Sequence, residues 1–131
     1  MGSENLIENV KIMGDCLGIK LENALSNLNF VGDIRGRGLF WAVEFVANKT
    51  TKSPFSEERL MGPLVVEAAF EQGLSIQLGI CNTGAERVDC VIISPPYNVK
   101  RHEVSQIVHM LKQAIVQVSG RQQVISQHIL L

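Results

Sequence analysis

The chain has 131 residues, an apolar fraction of 46% and a formal net charge of −1. This length predicts one domain with a buried core, and the near-neutral charge argues against a general nucleic-acid binder. No run of 18 apolar residues is present, so no membrane span is predicted, and Glu4 and Glu8 make the N-terminal segment unlike a secretory signal.

The cysteines and histidines give no pattern of a metal or nucleophile site. Cys16, Cys81 and Cys90 are an odd number without paired spacing, which favours reduced thiols over a disulfide or metal set. We therefore expect an intracellular, cytoplasmic protein without a metal site. Its three histidines, which we interpret as surface residues, are His102, His109 and His128.

Apolar residues recur every three or four positions near the N-terminus, which predicts a helix over residues 4–28. They are Leu6, Val10, Met13, Leu17, Leu21, Ala24 and Leu28. Gly14 and Gly18 lie inside this helix, and each costs roughly 1 kcal/mol relative to alanine. They indicate either close approach to another backbone or a helix of low stability.

Two strands are predicted next, over residues 30–35 and 39–46, joined by a tight turn at 36–38. In the second strand one face carries Leu39, Trp41, Val43 and Phe45. The other face, with Phe40, Ala42, Glu44 and Val46, is also mostly apolar. A strand that is apolar on both faces is normally covered on both, so this pattern predicts an additional covering element.

The remaining elements follow from Gly, Pro and periodicity signals. A helix is predicted over residues 63–72, and it ends at Gly73. A strand is predicted over 74–78 and a loop over 79–86. A second strand is predicted over 88–94, and Pro95 and Pro96 terminate it. The last helix covers 101–118 and stops at Gly120. The order α-β-β-α-β-β-α predicts an α+β domain, with a small antiparallel or mixed sheet of about four strands and helices on one face.

Residue types alone reveal no self-contained active site. The RGRG segment at residues 35–38 is too short for an RNA-binding tract and leads into a strand. Its glycines also lack the strand-before, helix-after context of a dinucleotide fingerprint.

Several segments say more than the periodicity does. They are NLIEN at residues 5–9, VGDIRGRGLFW at 31–41, EFV at 44–46, KSPF at 52–55, GLSI at 73–76 and ISPPYNV at 93–99. In this order and spacing they resemble the class III (omega-type) pyridoxal-phosphate-dependent aminotransferases. The resemblance implies the C-terminal small domain of a fold-type I enzyme over residues 1–120, followed by a divergent tail, 121–131.

The resemblance also implies what such a domain lacks. In the family, a preceding large domain carries the Schiff-base lysine, the acidic partner of the pyridine nitrogen and the phosphate-binding loop. Pyridoxal phosphate is therefore the cofactor of the full-length family. We expect no catalytic or cofactor-binding residue here and no transamination by this chain alone. The implied partners are the large domain, a second subunit, and amine or amino-acid and keto-acid substrates; neither nucleic acid nor a membrane is implied.

Substrate selection is the role that the resemblance leaves to this domain. Some family members place a carboxylate-binding arginine at the positions of Ile92 or Gln77, and neither residue here forms a bidentate ion pair. Gln77 is the one candidate substrate-binding residue. We interpret Arg35 and Arg37 as contacts across the domain junction, and Trp41 as packing.

The resemblance favours a truncated transaminase, but departures from the family pattern leave two other interpretations. Val88 and Cys90 stand where relatives favour glycine and histidine, and Lys100 replaces a helix-capping threonine. The chain is accordingly a truncated transaminase, a non-catalytic fragment that interacts through its exposed sheet face, or a degraded remnant.

Overall fold

The computed structural model describes every residue except 1, 52, 54, 56–59, 84, 85 and 131; side chains are also omitted at 2–4, 80–83, 86–88 and 122–130. The elements are α1 (Gly2–Leu25), β1 (Val31–Arg37), β2 (Phe40–Phe45), α2 (Met61–Glu71), β3 (Gln77–Thr83), β4 (Glu86–Ile93) and α3 (Arg101–Leu130). This order confirms the predicted succession of helices and strands.

The described strands form one four-stranded sheet in the order β1-β2-β4-β3, and every neighbouring pair is antiparallel. Helix α1 packs against β1, α2 packs against β3 and β4, and α3 packs against α1 and α2. The predicted α+β class is therefore confirmed, with the sheet antiparallel rather than mixed. We call the sheet surface that packs on the helices the helix face, and the opposite surface the outer face.

The hydrophobic core lies between the helix face and the apolar stripes of the helices. Val43 and Val91 are cross-strand neighbours on this face, and both are fully buried. Leu17 of α1 and Leu111 of α3 are also fully buried in the same core cluster. The periodic stripes that predicted the helices are thus the surfaces that the domain buries.

Trp41 is enclosed between two glycines. A Cβ atom at Gly18 of α1 would lie 2.4 Å from the indole ring, and one at Gly36, the cross-strand partner of Trp41, would lie 2.2 Å from it. The indole Nε1–H donates to the Gly38 carbonyl over 2.7 Å. A Cβ at Gly14 would lie 2.4 Å from that same carbonyl oxygen. Close approach, not low helix stability, therefore accounts for the two glycines of α1.

Contacts from outside the helices complete the ends of α1 and α2. The Lys49 ammonium donates to the Ser26 and Leu28 carbonyls beyond the last turn of α1, where no basic residue of the helix itself lies. Gly73 stops α2 as predicted, with a φ of +97°, and Leu74 N–H donates back to the Ala69 carbonyl.

Helix α3 begins with one half of a capping box, and a lysine stands at the position of the family's threonine. The backbone N–H of Lys100 donates to the Glu103 carboxylate over 3.0 Å, as the second half of a capping box does. Glu103 therefore satisfies the backbone donor of residue 100, whereas the Lys100 ammonium has no acceptor atom and cannot cap the helix as a threonine hydroxyl would.

The predicted end of the last helix at residue 118 is wrong, because α3 continues to Leu130 through Gly120. Gly120 does not adopt the positive φ that ends a helix at Gly73. A helical glycine costs only about 1 kcal/mol, and no proline follows to stop the helix. The segment after residue 120 is thus helical in its backbone, not a tail without regular structure.

The predicted loop over residues 79–86 is also wrong. The β3–β4 ladder includes the described residues of this segment, from Gly79 opposite Cys90 to Thr83 opposite Glu86. This strand position requires glycine, because a Cβ there would lie 2.8 Å from the Cys90 sulfur. The glycine that indicated a loop instead makes room for a cross-strand side chain.

Within the described residues, no helix has the length and apolarity needed to cross a membrane.

The enclosure of Trp41 predicts opposite effects at two helical glycines. Gly18→Ala forces a methyl group into the indole ring and should lower the free energy of unfolding by about 1–3 kcal/mol. Gly120→Ala, the control, meets no atom within 4 Å and should raise it by about 0.5–1 kcal/mol. Urea unfolding of both variants measures the difference, and equal stabilisation by both substitutions would contradict the enclosure.

Candidate functional site

The outer face contains the residues that the sequence singled out. Arg35 of β1 lies opposite Ala42 of β2, Ala42 opposite Ile92 of β4, and Ile92 opposite Gln77 of β3. Successive strand residues alternate between faces, so these four side chains lie on the face opposite Val43 and Val91. They form one row across the sheet, which we call the cross-sheet row.

The structure brings the two positions of the missing arginine together. Gln77 is exposed at the edge of the sheet, and half-buried Ile92 is its direct cross-strand neighbour. Directly opposed residues have Cβ atoms about 5 Å apart, so an arginine at either position would reach the same space. Here that space is bounded by an amide and an aliphatic side chain. A role of Gln77 in substrate binding stays a prediction.

Arg35 is committed to two carboxylates. Its guanidinium pairs with Glu44, whose side chain is 4% exposed, and its Nε lies 3.3 Å from Asp33. The buried Glu44 carboxylate requires a partner, because an uncompensated buried charge is strongly destabilising. These contacts lie inside the domain, so the prediction that Arg35 makes contacts across a domain junction stays a prediction.

Among the side chains that the structure describes, the outer face is open at the end that contains Phe40. Glu44 and its cross-strand neighbour Cys90 are buried, and so is Val46. Phe40, at the turn end of β2, is 57% exposed. The expectation that this whole face lacks a cover is therefore corrected: half of it is already covered, and the open part runs from Phe40 to the cross-sheet row.

A groove of about 440 Å³ adjoins the open end. Arg37 and Phe40 line it together with Ser94 and Pro95, which follow β4. Arg37 is exposed, and the fold places it beside the Ser-Pro segment of the family resemblance. This groove and the open part of the outer face together form the candidate site.

The described residues of the candidate site could contact and select a small substrate. They include no lysine that could form a Schiff base. The cross-sheet row offers a guanidinium already paired with carboxylates, two apolar side chains and one amide. No lysine occurs in it or among the described residues that line the groove. A cofactor carbonyl would thus find no amine among the described residues of the candidate site.

Asp89 carries the resolved pKa shift, and it lies on the helix face, away from the candidate site. Its Oδ2 accepts the backbone N–H of Gly62 at the start of α2, where Leu60 makes no side-chain cap. Its Oδ1 has no hydrogen-bond partner in the described part of the chain. Burial raises the pKa of Asp89, and backbone hydrogen bonds from Gly62 and Met61 oppose the rise.

Asn9 is a positioning residue that the sequence analysis missed. Its side-chain amide donates to the Tyr97 and Val99 carbonyls over 2.7 and 3.1 Å, which fixes the segment after the two prolines onto α1. The signal was a polar residue beside the apolar stripe of α1, within the NLIEN segment.

Comparison with known proteins gives one consistent family. The model of the class-III aminotransferases matches residues 1–115. An aminotransferase of Gibberella zeae is 36% identical over 118 residues, which are 89% of this chain and 23% of that protein. The aminotransferase YodT of Bacillus subtilis, described as uncharacterised, is 30% identical over 86% of this chain and 26% of its own length. The chain thus spans about a quarter of the length of these relatives.

Solved structures agree with this family. A transaminase from the marine bacterium Virgibacillus superposes with a TM-score of 0.82 at 31% identity, over 92% of this chain and 26% of that one. The omega transaminase of Pseudomonas jessenii, in complex with PMP, gives 0.77 at 29% identity, over 91% and 24% of the two chains.

The raised pKa of Asp89 predicts a pH-dependent stability. Because folding favours the protonated carboxyl, its contribution is complete below the ordinary aspartate pKa of about 3.9 and is lost as the pH rises through the raised folded value. Asp89→Asn keeps a carbonyl acceptor for Gly62 but does not titrate. Its free energy of unfolding should therefore increase relative to the parent chain as the pH rises above about 4, by at most about 1.4 kcal/mol per pH unit.

Urea titrations at several pH values measure this difference. Asp15→Asn, at an exposed position of α1, is the matched control for removing one carboxylate. Parallel curves for Asp89→Asn would show that Asp89 does not titrate differently in the folded state.

Proposed function

The chain belongs to the class-III aminotransferase family, whose members depend on pyridoxal phosphate, and from that premise we propose that it is the C-terminal small domain of a transaminase. In this proposal residues 1–120 form one wall of an active site that moves an amino group from an amine or amino acid to a keto acid or aldehyde. The catalytic lysine, the cofactor site and the second subunit belong to the rest of such an enzyme.

The open end of the outer face is the observation that carries this proposal. It exposes Phe40 beside the half-buried apolar pair Ala42 and Ile92, with the amide of Gln77 at the edge. Such a surface is suited to contact with another protein segment and a small substrate rather than with water. Because the positions at Ile92 and Gln77 lack arginine, the favoured substrates are amines without a carboxylate next to the reacting carbon.

The placement of the described lysines supports the dependence on a separate cofactor domain. Lys49 is occupied by the end of α1, and Lys20 and Lys112 line a groove between α1 and α3. None of the three adjoins the cross-sheet row. The chemistry of the cofactor, which stabilises a carbanion, would therefore be supplied on the other side of the active site.

Complementation tests this division of labour. The isolated chain, mixed with pyridoxal phosphate and desalted, should retain no borohydride-fixable aldimine. Bacillus subtilis YodT from which the matching quarter has been removed is the partner, and it should gain pyridoxal-phosphate-dependent transamination only when this chain is added. Mass spectrometry should then place the fixed cofactor on a lysine of the YodT segment.

Two results would contradict the proposal. One is an aldimine retained at a single lysine of the isolated chain. The other is that the chain and the YodT segment, both folded by circular dichroism, neither associate nor transaminate when mixed.

A second candidate function, interaction without catalysis, is favoured by the exposure of Phe40. A copy of the chain could cover the open end, so the chain should self-associate at high concentration. Phe40→Lys should weaken that association about fivefold or more, since a central exposed aromatic is typical of an energetically important contact. Phe70→Lys is the control, because Phe70 is 71% exposed on α2, away from the outer face. Sedimentation equilibrium distinguishes the variants, and a stable monomer at high concentration would exclude this candidate.

A further inference from the structure

A second groove, of about 380 Å³, lies between α1 and α3. Helix α1 supplies Lys20, Asn23 and Ala24 to its lining, and α3 supplies Ser105, Val108, His109 and Lys112. Helix α1 packs against β1, and α3 packs against α1 and α2, so this groove lies on the helix side of the domain and is separate from the candidate site on the outer face. We call it the interhelix groove.

Among the described residues that line the interhelix groove there are two lysines and no carboxylate. Lys20 and Lys112 form no ion pair with any residue that the structure describes. Two acidic side chains of α1 and α3 are directed elsewhere: Glu22 lines a different cavity beside Lys49, and Glu103 accepts the backbone N–H of Lys100. Two uncompensated ammonium groups thus meet across one groove in a chain whose net charge is −1.

The donors around the two ammonium groups are complementary to an oxyanion. Asn23 carries an amide N–H₂ and His109 a ring N–H, and both line the same groove. Ser105 is different, because its hydroxyl already donates to the Arg101 carbonyl over 3.3 Å. Lysines on two helices favour a group with more than one negative charge, and lysine is a common phosphate ligand in proteins.

An apolar extension continues the interhelix groove. An adjoining cavity of about 480 Å³ shares Ser105 and His109 with it and is otherwise lined by Gln106 and Met110. Met110 is partly buried against the hydrophobic core and offers a polarisable apolar surface. A ligand that fills both cavities therefore has an anionic end and an apolar end.

We propose that the interhelix groove binds a phosphate monoester with an apolar substituent. Its phosphate group lies between Lys20 and Lys112, within reach of the His109 and Asn23 donors. Its substituent lies on Met110. This site is on the helix layer and does not depend on the function proposed for the outer face.

Titration of the 131-residue chain with phenyl phosphate tests the site. Binding followed by calorimetry and amide NMR should perturb residues on both walls, Ala24 and Val108 among them. Lys20→Met and Lys112→Met should each weaken binding about fivefold or more, and added salt should weaken it further. Lys11→Met, which removes an equal charge at an exposed position of α1 outside the groove, should leave it unchanged.

Two further measurements distinguish specific binding in the interhelix groove from non-specific electrostatic attraction. Phenyl phosphate should bind more tightly than inorganic phosphate, because only the ester reaches the apolar extension. Far-ultraviolet circular dichroism verifies that each lysine variant is folded. Equal loss of binding in Lys11→Met, equal affinity for the two phosphates, or no binding of either at millimolar concentration would overturn the proposal.

Discussion

The enclosure of Trp41 is the constraint on which the arrangement of this domain depends. One large ring fills the space between α1 and β1, and it fits only because Gly18 and Gly36 present no side chain to its two sides. The indole N–H holds the Gly38 carbonyl, and Gly14 approaches that carbonyl from α1. The distance of the first helix from the sheet and the position of the β1–β2 turn are thus fixed by the same residue.

This arrangement has a direct consequence for the candidate site. With Trp41, Val43 and Phe45 on the helix face, alternation places Phe40, Ala42 and Glu44 on the outer face. The Arg35–Glu44 pair anchors the covered half of that face, and Phe40 marks the open half. The sheet therefore has one surface that packs on the helices and one surface that is partly buried and partly open to contact.

Much of the fold followed from the sequence, because the periodic stripes and the two prolines after β4 are local signals. The succession of elements, the glycine stop at Gly73 and the family were all predictable. The pairing of β3 with β4 and the extension of α3 were not predictable. Gly79 is set by its contact with Cys90 on the neighbouring strand, and Gly120 has no neighbouring atom within 4 Å of its Cβ position. The site was predictable only through the resemblance: no local pattern indicates that Gln77 and Ile92 are cross-strand neighbours, or that Asn9 holds the segment before α3.

The capping of helices by distant residues bears on how the chain folds. Lys49 closes the end of α1 from more than 20 residues away, and Asp89 closes the start of α2 from 27 residues away. The Ser26 and Leu28 carbonyls and the Gly62 N–H thus gain these partners only when segments distant in the sequence are in place. Such non-local contacts raise the contact order and are typical of slower, more cooperative folding. The terminal turns of α1 and α2 should accordingly open together with the strands rather than fray independently of them.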